Sequence, residues 1–213
     1  MNILKKTTAS LITAFALIFS PLMLADVSGS VGFSSDYFWR GQSQNAGEVA
    51  LDLGLEASHN RFYGGVWASQ VDFGNDAEIE YDIYGGVNLV STGDFELDLG
   101  FIQYNWDEVY EDMEEVYMSA SYKMVGLTYY KDRDSKRRSY VEATLDIPFV
   151  DVVDMSISYG LLEDGDKTYS IKFAKNLSDQ LVLSGMIVKP TNRDWNDVRL
   201  DRDSIAVGIH YNF

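Results

Sequence analysis

Apolar and polar residues alternate along most of the chain after residue 26. Between Glu48 and Ala57, every second residue from Val49 onward is apolar, and acidic or small residues stand between them. The same period of two recurs from Ile79 to Leu89, from Phe95 to Phe101 and from Ile205 to Phe213. Successive side chains of a β-strand point to opposite faces, whereas an α-helix repeats about every 3.6 residues, so this period predicts strands.

Turn residues divide the alternating pattern into twelve predicted strands. The connections are alternately tight, as at residues 58–61 and 91–94, and long, as at residues 41–47 and 105–114. The predicted strands span residues 27–39, 46–57, 62–71, 79–90, 95–105, 115–123, 125–131, 139–148, 152–162, 168–175, 180–189 and 203–213. The least distinct boundary is the one near Lys123 and Met124.

Two architectures use this alternation. A β-sandwich buries the apolar face of each sheet against a second sheet, whereas a transmembrane barrel turns that face outward to lipid. An even number of strands of about ten residues, tight turns at one end, long loops at the other and aromatic residues at the ends of the apolar faces favour the barrel. We therefore predict an all-β fold, an up-and-down antiparallel transmembrane β-barrel of about twelve strands. The sandwich instead requires a dry interior that holds Leu51, Leu53, Ile83, Leu97 and Leu99.

The N-terminus predicts export. Lys5 and Lys6 precede an apolar run from Leu11 to Leu24, and Ala25 is a small residue at the expected cleavage position before Asp26. This layout is that of a secretory signal peptide, so we expect residues 1–25 to be removed and residues 26–213 to form the barrel. A membrane anchor is the alternative interpretation, but the run is shorter than the roughly 20 apolar residues that a spanning helix needs.

Composition excludes several functional classes. The chain has 33 acidic and 17 basic residues, and loss of the signal peptide changes its net charge from −16 to −18, which makes it a poor partner for nucleic acid. It has no cysteine, which excludes a disulfide framework, and its two histidines, His59 and His210, leave few structural metal ligands. We predict no cofactor. The 29 aromatic residues and three prolines favour long strands.

The stretch SSDYFWRGQSQ, residues 34–44, places three aromatic residues between an acid and an arginine. If the first strand continues to residue 39, Tyr37 and Trp39 face the lipid headgroups where the strand leaves the membrane. Phe38 then shares the lumen face with Asp36 and Arg40, which lie four positions apart on one side of the strand.

The same stretch carries a family resemblance. The segments VSGSVGFSSDYFWRGQSQ, FYGGVWASQVDFG and IEYDIYGGV resemble the TorF family of porins, also known as Gcw_chp. The residues that match its motifs are Ser35, Tyr37, Arg40, Gly41, Ser43, Gln44, Tyr63, Gly65, Trp67, Glu80, Asp82, Tyr84 and Gly86. The resemblance spans nearly the whole chain beyond the signal peptide. It implies a small bacterial outer-membrane barrel but no particular solute.

The last residue is a candidate assembly signal. Phe213 ends a strand of alternating apolar residues, and outer-membrane proteins resemble this in ending with Phe or Trp, which the barrel-assembly machinery reads. The alternative is that the final Phe reflects only the high aromatic content of the chain. We expect that machinery, the outer-membrane lipid and lipopolysaccharide to be the partners of this protein.

The charged face of the strands is the candidate functional surface. On the strand assignment above, the lumen-lining residues are Asp36, Arg40, Asp52, Glu56, Glu80, Asp82, Glu96, Asp98, Glu115, Glu142, Asp146, Asp154 and Lys172, with Lys123 as a further base. A low-dielectric wall lined mainly by acids attracts cations. Twelve strands enclose a backbone diameter of about 24 Å, much of it filled by side chains. The prediction is a narrow acidic passage for small hydrophilic solutes that favours cations.

Three alternatives remain open at this stage. In the first, the lumen is plugged by charged networks or an inward loop. In the second, the barrel has a structural or adhesion role. In the third, the barrel is an enzyme that modifies lipids. Lipid-modifying barrels use a histidine at the outer rim, whereas His59 and His210 are predicted near the opposite end, so we expect no enzyme. An acidic loop cluster (Asp107, Glu108, Glu111, Asp112, Glu114 and Glu115) and a basic run (Lys131, Arg133, Lys136, Arg137 and Arg138) are candidate contacts for lipopolysaccharide or cations.

Overall fold

The chain folds as a closed antiparallel β-barrel of twelve strands. The structure, a computed structural model, describes residues 25–107, 112–134, 139–148, 152–191 and 204–213. The barrel strands are β1 (Asp26–Ser34), β4 (Ala50–His59), β5 (Phe62–Gln70), β6 (Ile79–Thr92), β7 (Phe95–Trp106), β8 (Met113–Tyr122), β9 (Val125–Asp132), β10 (Tyr140–Ile147), β11 (Asp154–Leu162), β12 (Lys167–Asn176), β13 (Leu181–Thr191) and β14 (Ser204–Asn212). Two short strands, β2 (Phe38–Trp39) and β3 (Gln42–Ser43), pair only with each other.

The alternating pattern produces two faces with opposite chemistry. The outer face is apolar and exposed: Leu53 keeps 51% of its surface accessible and Ile205 keeps 68%. Other exposed outer residues are Phe33, Leu55, Val66, Ile83, Leu99, Phe101, Met118, Leu127, Leu145, Ile157, Ile187 and Val207. The predicted barrel is therefore confirmed, and the sandwich is excluded because these side chains surround the sheet instead of filling a core.

Neighbouring strands in the chain are neighbours in the barrel, and the barrel closes between β1 and β14. Ser30 to Ser34 pair with Asn212 to Gly208 across this seam, and Gly29 and Phe213 exchange two backbone hydrogen bonds of 2.8 and 2.9 Å. Closure leaves no exposed strand edge, which a sheet in lipid requires. Among the residues described, no helix is long and apolar enough to cross a membrane.

The two ends of the barrel differ, as predicted. The start of β1, the end of β14 and the tight turns lie at one end, which we call the terminal end, and the longer connections lie at the other, the loop end. The turn between β8 and β9 consists only of Lys123 and Met124, and Lys123 has a φ of 54°. The boundary that was least distinct in the sequence is thus a two-residue hairpin turn.

The prediction for the first strand is wrong beyond Ser34, where β1 ends. Residues 35–47 leave the wall and form a small hairpin from β2 and β3, which we call the inward hairpin. Its two central residues, Arg40 and Gly41, have φ angles of 48° and 86°, the signs that a type I′ turn requires. A turn with positive φ at both positions cannot belong to a continuous strand, so Asp36 and Arg40 do not share a strand face.

On the inner face, glycines make room for tyrosine rings. Tyr63 on β5 is the register partner of Gly86 on β6, and Gly65 on β5 is the register partner of Tyr84 on β6. A Cβ atom at Gly86 would lie 2.3 Å from the hydroxyl of Tyr63 and 2.8 Å from the carbonyl oxygen of Leu99. The rings therefore lie flat against the sheet, where a side chain on the neighbouring strand would displace them.

We predict that the Gly86→Ala variant lowers the free energy of unfolding by about 1–3 kcal/mol, since the added methyl group overpacks both a ring and a backbone oxygen. Gly185→Ala is the matched control, because its Cβ would meet only ordinary contacts at 3.7 and 4.0 Å. Urea titration of tryptophan fluorescence in lipid vesicles measures both variants. Equal stability of the two would contradict the tyrosine–glycine packing.

Candidate functional site: the lumen and the inward hairpin

The inner face of the barrel carries the acidic side chains of the strands. Glu80 and Glu115 keep 2% and 1% of their surface accessible, in contrast to the exposed outer positions. By register, the residues that share this face are Asp52, Glu56, Glu80, Asp82, Glu96, Asp98, Glu115, Glu142, Asp146, Asp154 and Lys172. Whether these residues line a conducting pore stays a prediction.

Many of these acids accept hydrogen bonds from aromatic donors on the same face. Tyr63 donates to Asp98 (2.6 Å), Tyr84 to Glu56 (3.1 Å) and Tyr140 to Glu142 (3.0 Å). Glu80 accepts from the indole of Trp106 (2.9 Å). These donors satisfy the hydrogen-bonding capacity of the carboxylates and hold them in place on the inner face. Glu96, Asp146, Asp154 and Lys172 remain exposed to solvent.

Arg40 fixes the tip of the inward hairpin. Its guanidinium donates two hydrogen bonds to the carboxylate of Glu115 on β8, at 2.9 and 2.6 Å. The rings of Trp39, Tyr130 and Tyr140 surround it, with centroids 4.4, 4.9 and 4.3 Å from its central carbon. A bidentate pair enclosed by aromatic faces satisfies a buried guanidinium both electrostatically and sterically.

Another part of the hairpin contacts the nearby strands β5 and β6. The hydroxyl of Tyr37 donates to Glu80 on β6 (3.0 Å), and its ring lies 5.1 Å from that of Trp67 on β5. Burial and the nearby Glu80 and Asp82 raise the pKa of Tyr37 well above its ordinary value, so the phenol stays a neutral donor. Tyr37 thus packs inside the barrel instead of facing lipid headgroups.

Two further contacts hold the hairpin in place. The hydroxyl of Thr168 on β12 donates to the backbone oxygen of Arg40 (2.8 Å). Asp36 accepts a hydrogen bond from Ser43 within the hairpin (2.7 Å), not from Arg40. Burial raises the pKa of Asp36, against the opposing effects of Ser43 and two backbone amides. With contacts to β5, β6, β8, β9, β10 and β12, the hairpin crosses the lumen from one wall to the other.

A cavity of about 830 Å³ lies between the hairpin and the terminal end. Asp36, Tyr37 and Phe38 bound it on the hairpin side, and Lys123 and Met124 line its terminal end. Small inner residues leave the space open on one half of the wall: Ser156, Ala174, Ser184, Ala206 and Gly208. Charged residues in its lining are Asp36, Asp52, Lys123, Asp146, Asp154, Lys172 and His210.

Both histidines lie toward the terminal end of their strands, as predicted. His210 is an inner-face residue of β14 and lies 3.3 Å from the carboxylate of Asp52 on β4. The pair reaches across Gly32 on β1, where a Cβ would lie 2.1 Å from the His210 ring. His210 therefore joins strands on both sides of the seam. His59 is the last residue of β4, and the described residues hold no cluster of three potential metal ligands.

Sequence reasoning missed the aromatic half of this site. Trp67, Tyr104, Trp106, Tyr130 and Tyr140 all project inward and contact the hairpin or its acidic partners. The sequence could have placed them on the inner face, because side chains separated by an even number of residues on a strand share a face. Tyr104, for example, lies six residues after Asp98 in the same predicted strand. No local signal could reveal the partner of Arg40, because Glu115 lies far away along the chain.

The loop clusters are only partly covered by the structure. Glu108 and Glu111 of the acidic cluster, and Lys136, Arg137 and Arg138 of the basic run, lie outside the described residues, as does the predicted signal peptide up to residue 24. Arg133 pairs with Glu114, and Lys131 lies 3.7 Å from Glu163. Hydrogen bonds from the backbone amide and hydroxyl of Ser139, together with Lys131, lower the pKa of Glu163.

Comparisons with known proteins agree with this architecture. Residues 20–171 match the family model described as "Bacterial protein of unknown function (Gcw_chp)". The fold is similar to the KdgM porin, with a TM-score of 0.63 and 12% identity over 87% of this chain and 99% of that chain. It is also similar to the NanC porin, with a TM-score of 0.57 and 7% identity over 88% of this chain and 99% of that chain. No curated protein matches the sequence.

The KdgM porin has also been solved in a complex described as containing disordered oligogalacturonate. That structure has a TM-score of 0.63 and 11% identity over 88% of this chain and 98% of that chain. At these identities the similarity establishes a porin-like barrel fold.

We predict that Arg40→Ala lowers the free energy of unfolding by about 3–5 kcal/mol, because it leaves the buried Glu115 carboxylate without its partner. Arg133→Ala is the matched control, since Arg133 and Glu114 form an exposed pair with 69% and 40% accessible side chains and should change stability by less than about 1 kcal/mol. Urea titration in vesicles compares them. If both variants lose the same stability, Arg40 is not a buried anchor.

Proposed function

This chain belongs to the Gcw_chp family, and we propose that it is an outer-membrane porin through which small hydrophilic solutes diffuse passively, with cations favoured. The observation that carries the proposal is the acidic inner face of a closed barrel whose outer face is apolar. Such a barrel shields charge from lipid and presents it to an axial space.

Charge supports the preference for cations. Acidic residues outnumber basic ones on the inner face, and the guanidinium of Arg40 is already neutralised by Glu115. In a narrow, low-dielectric lumen an excess of one sign raises the local concentration of counter-ions. Oligogalacturonate, named for the KdgM complex, is a polyanion, and the acidic wall of this chain would repel it. We therefore propose neutral and cationic solutes instead.

The inward hairpin sets the aperture in this proposal. It lies between the loop end and the cavity. It begins where β1 ends, and Tyr37 and Arg40 anchor it to β6 and β8. A solute that enters from the loop end must pass beside the hairpin to reach the cavity. The aperture is then set by the inner residues that the hairpin leaves uncovered, which limits passage to small molecules.

Export and assembly follow from the same proposal. We propose that residues 1–25 are a cleaved signal peptide and that residues 26–213 insert into a bacterial outer membrane. Phe213, whose backbone bonds to Gly29 at the seam and whose ring stacks on Tyr211 at 6.3 Å, is the proposed signal for the barrel-assembly machinery. Outer-membrane lipid and lipopolysaccharide are the proposed surroundings of the apolar face and the loop end.

The hairpin also supports a second candidate function, a non-conducting barrel with a structural or adhesion role. Buried contacts anchor it to several strands, and a lumen closed at that level would pass no solute. Conductance separates the two candidates.

We predict that the purified protein forms cation-selective channels in planar bilayers. In a KCl gradient the dilute side should become positive at zero current, because K⁺ crosses more readily than Cl⁻ past the acidic wall. Liposome swelling should show faster entry of small amines than of uronic acids of similar size. Absence of conductance would favour the structural barrel, and a negative dilute side would reject the cation preference.

We further predict that removal of the inward hairpin increases single-channel conductance several-fold. Ser34 and Ala50 are register partners, so a short Gly-Ser linker can join β1 to β4 in place of residues 35–49. The control shortens another connection at the loop end, residues 73–76, and should leave conductance unchanged. A hairpin deletion that conducts no better than the control would place the constriction elsewhere.

A further inference from the structure

One carboxylate beside the hairpin has no partner for its charge. Asp82 lies on the inner face of β6, keeps 5% of its surface accessible, and its Oδ1 atom has no hydrogen-bond partner among the described residues. Its neighbour on the same face, Glu80, accepts from Tyr37 and Trp106 and is equally buried. Alternate residues of a strand are separated by about 7 Å, so two carboxylates share this part of the wall.

Among the described residues, no basic side chain forms an ion pair with Glu80 or Asp82. The ion pairs of the described residues join Arg40 to Glu115, His210 to Asp52, and exposed lysines or arginines to loop acids, and none includes Glu80 or Asp82. Trp67 and Tyr104 flank Asp82 as register partners on β5 and β7. Tyr37 extends from the hairpin to this pair, and its ring packs on Trp67.

A buried carboxylate without a partner is costly unless an opposite charge or a proton neutralises it. A proton on either carboxyl oxygen would neutralise Asp82, and a cation at the unpaired Oδ1 is the alternative that the test below separates from it. A divalent ion requires six or more oxygen ligands, whereas the described residues include no group of three potential metal-ligating side chains. A monovalent cation such as K⁺ loses its hydration water at a lower cost than a divalent ion and also interacts favourably with aromatic faces.

We propose that Asp82, together with Glu80 and the aromatic rings of Tyr37 and Trp67, binds a monovalent cation such as K⁺ beside the inward hairpin. The site rests on the proposed porin function and makes it more specific. A cation held between the hairpin and β6 neutralises the buried carboxylate, and its exchange with the next cation moves charge through the aperture. The same ion stabilises the packed hairpin, because Tyr37 then covers the Asp82 carboxylate together with the cation that neutralises it.

The test measures ion-dependent stability and selectivity of the full-length folded barrel. Melting temperature is recorded in zwitterionic detergent while K⁺ replaces N-methyl-D-glucamine at constant ionic strength, with Na⁺ as a second arm. A ligand that binds only the folded state raises the melting temperature as its concentration increases. We expect a K⁺-dependent rise for the wild type and its loss in Asp82→Asn, together with a lower K⁺/Cl⁻ permeability ratio in that variant.

Asp98→Asn is the matched control, because Asp98 lies on the same face but accepts a hydrogen bond from Tyr63. It should keep the K⁺-dependent rise. Equal K⁺ dependence of the melting temperature in wild type and Asp82→Asn would overturn the site. A melting temperature that responds to pH but to neither K⁺ nor Na⁺ would also overturn it, because it would assign a proton to Asp82. A K⁺-dependent rise without any conductance would support the site and reject the porin function, so the two failures are distinguishable.

Discussion

Closure of the sheet is the constraint on which the rest of the structure depends. Twelve strands pair around a ring, and the backbone bonds between Gly29 and Phe213 complete the seam. Once the ring is closed, the period of two in the sequence assigns every strand residue to the outside or the inside. Exposed aliphatic and aromatic residues cover the outside, so the acids can only surround the axis.

A ring of acids creates the conditions for the inward hairpin. Acidic residues that face one another across a narrow space repel, and a guanidinium inserted among them relieves part of that repulsion. Arg40 does this at the tip of a turn whose positive φ angles direct the chain away from the wall. The hairpin pairs Glu115 with Arg40 and Glu80 with Tyr37, and it leaves Asp82 buried without a partner. Electrostatics therefore determine how the hairpin fills the lumen and which carboxylates it pairs.

The barrel could be predicted from the sequence because the alternation that defines each strand is a local pattern. Alternation in EVALDLGLEA or FELDLGF assigns faces without any knowledge of neighbouring strands, and tight turns such as Lys123–Met124 separate the strands. The hairpin was mispredicted because Tyr37, Phe38 and Trp39 fit an interfacial aromatic girdle equally well. Whether an aromatic residue faces lipid or the lumen depends on Glu80, Trp67 and Glu115, which only the closed fold brings near. The same long-range dependence hid the contact between His210 and Asp52 across the seam.

A cross-link between the hairpin and the wall tests the central claim most directly, since the natural chain has no cysteine. A Cβ at Gly41 would lie 3.3 Å from that of Thr168, close to disulfide geometry, whereas one at Gly47, also at positive φ, would have no atom within 4 Å. The account predicts that oxidation cross-links the Gly41→Cys/Thr168→Cys barrel but not the Gly47→Cys/Thr168→Cys barrel. Free thiols in both oxidised proteins would place the hairpin outside the lumen and contradict it.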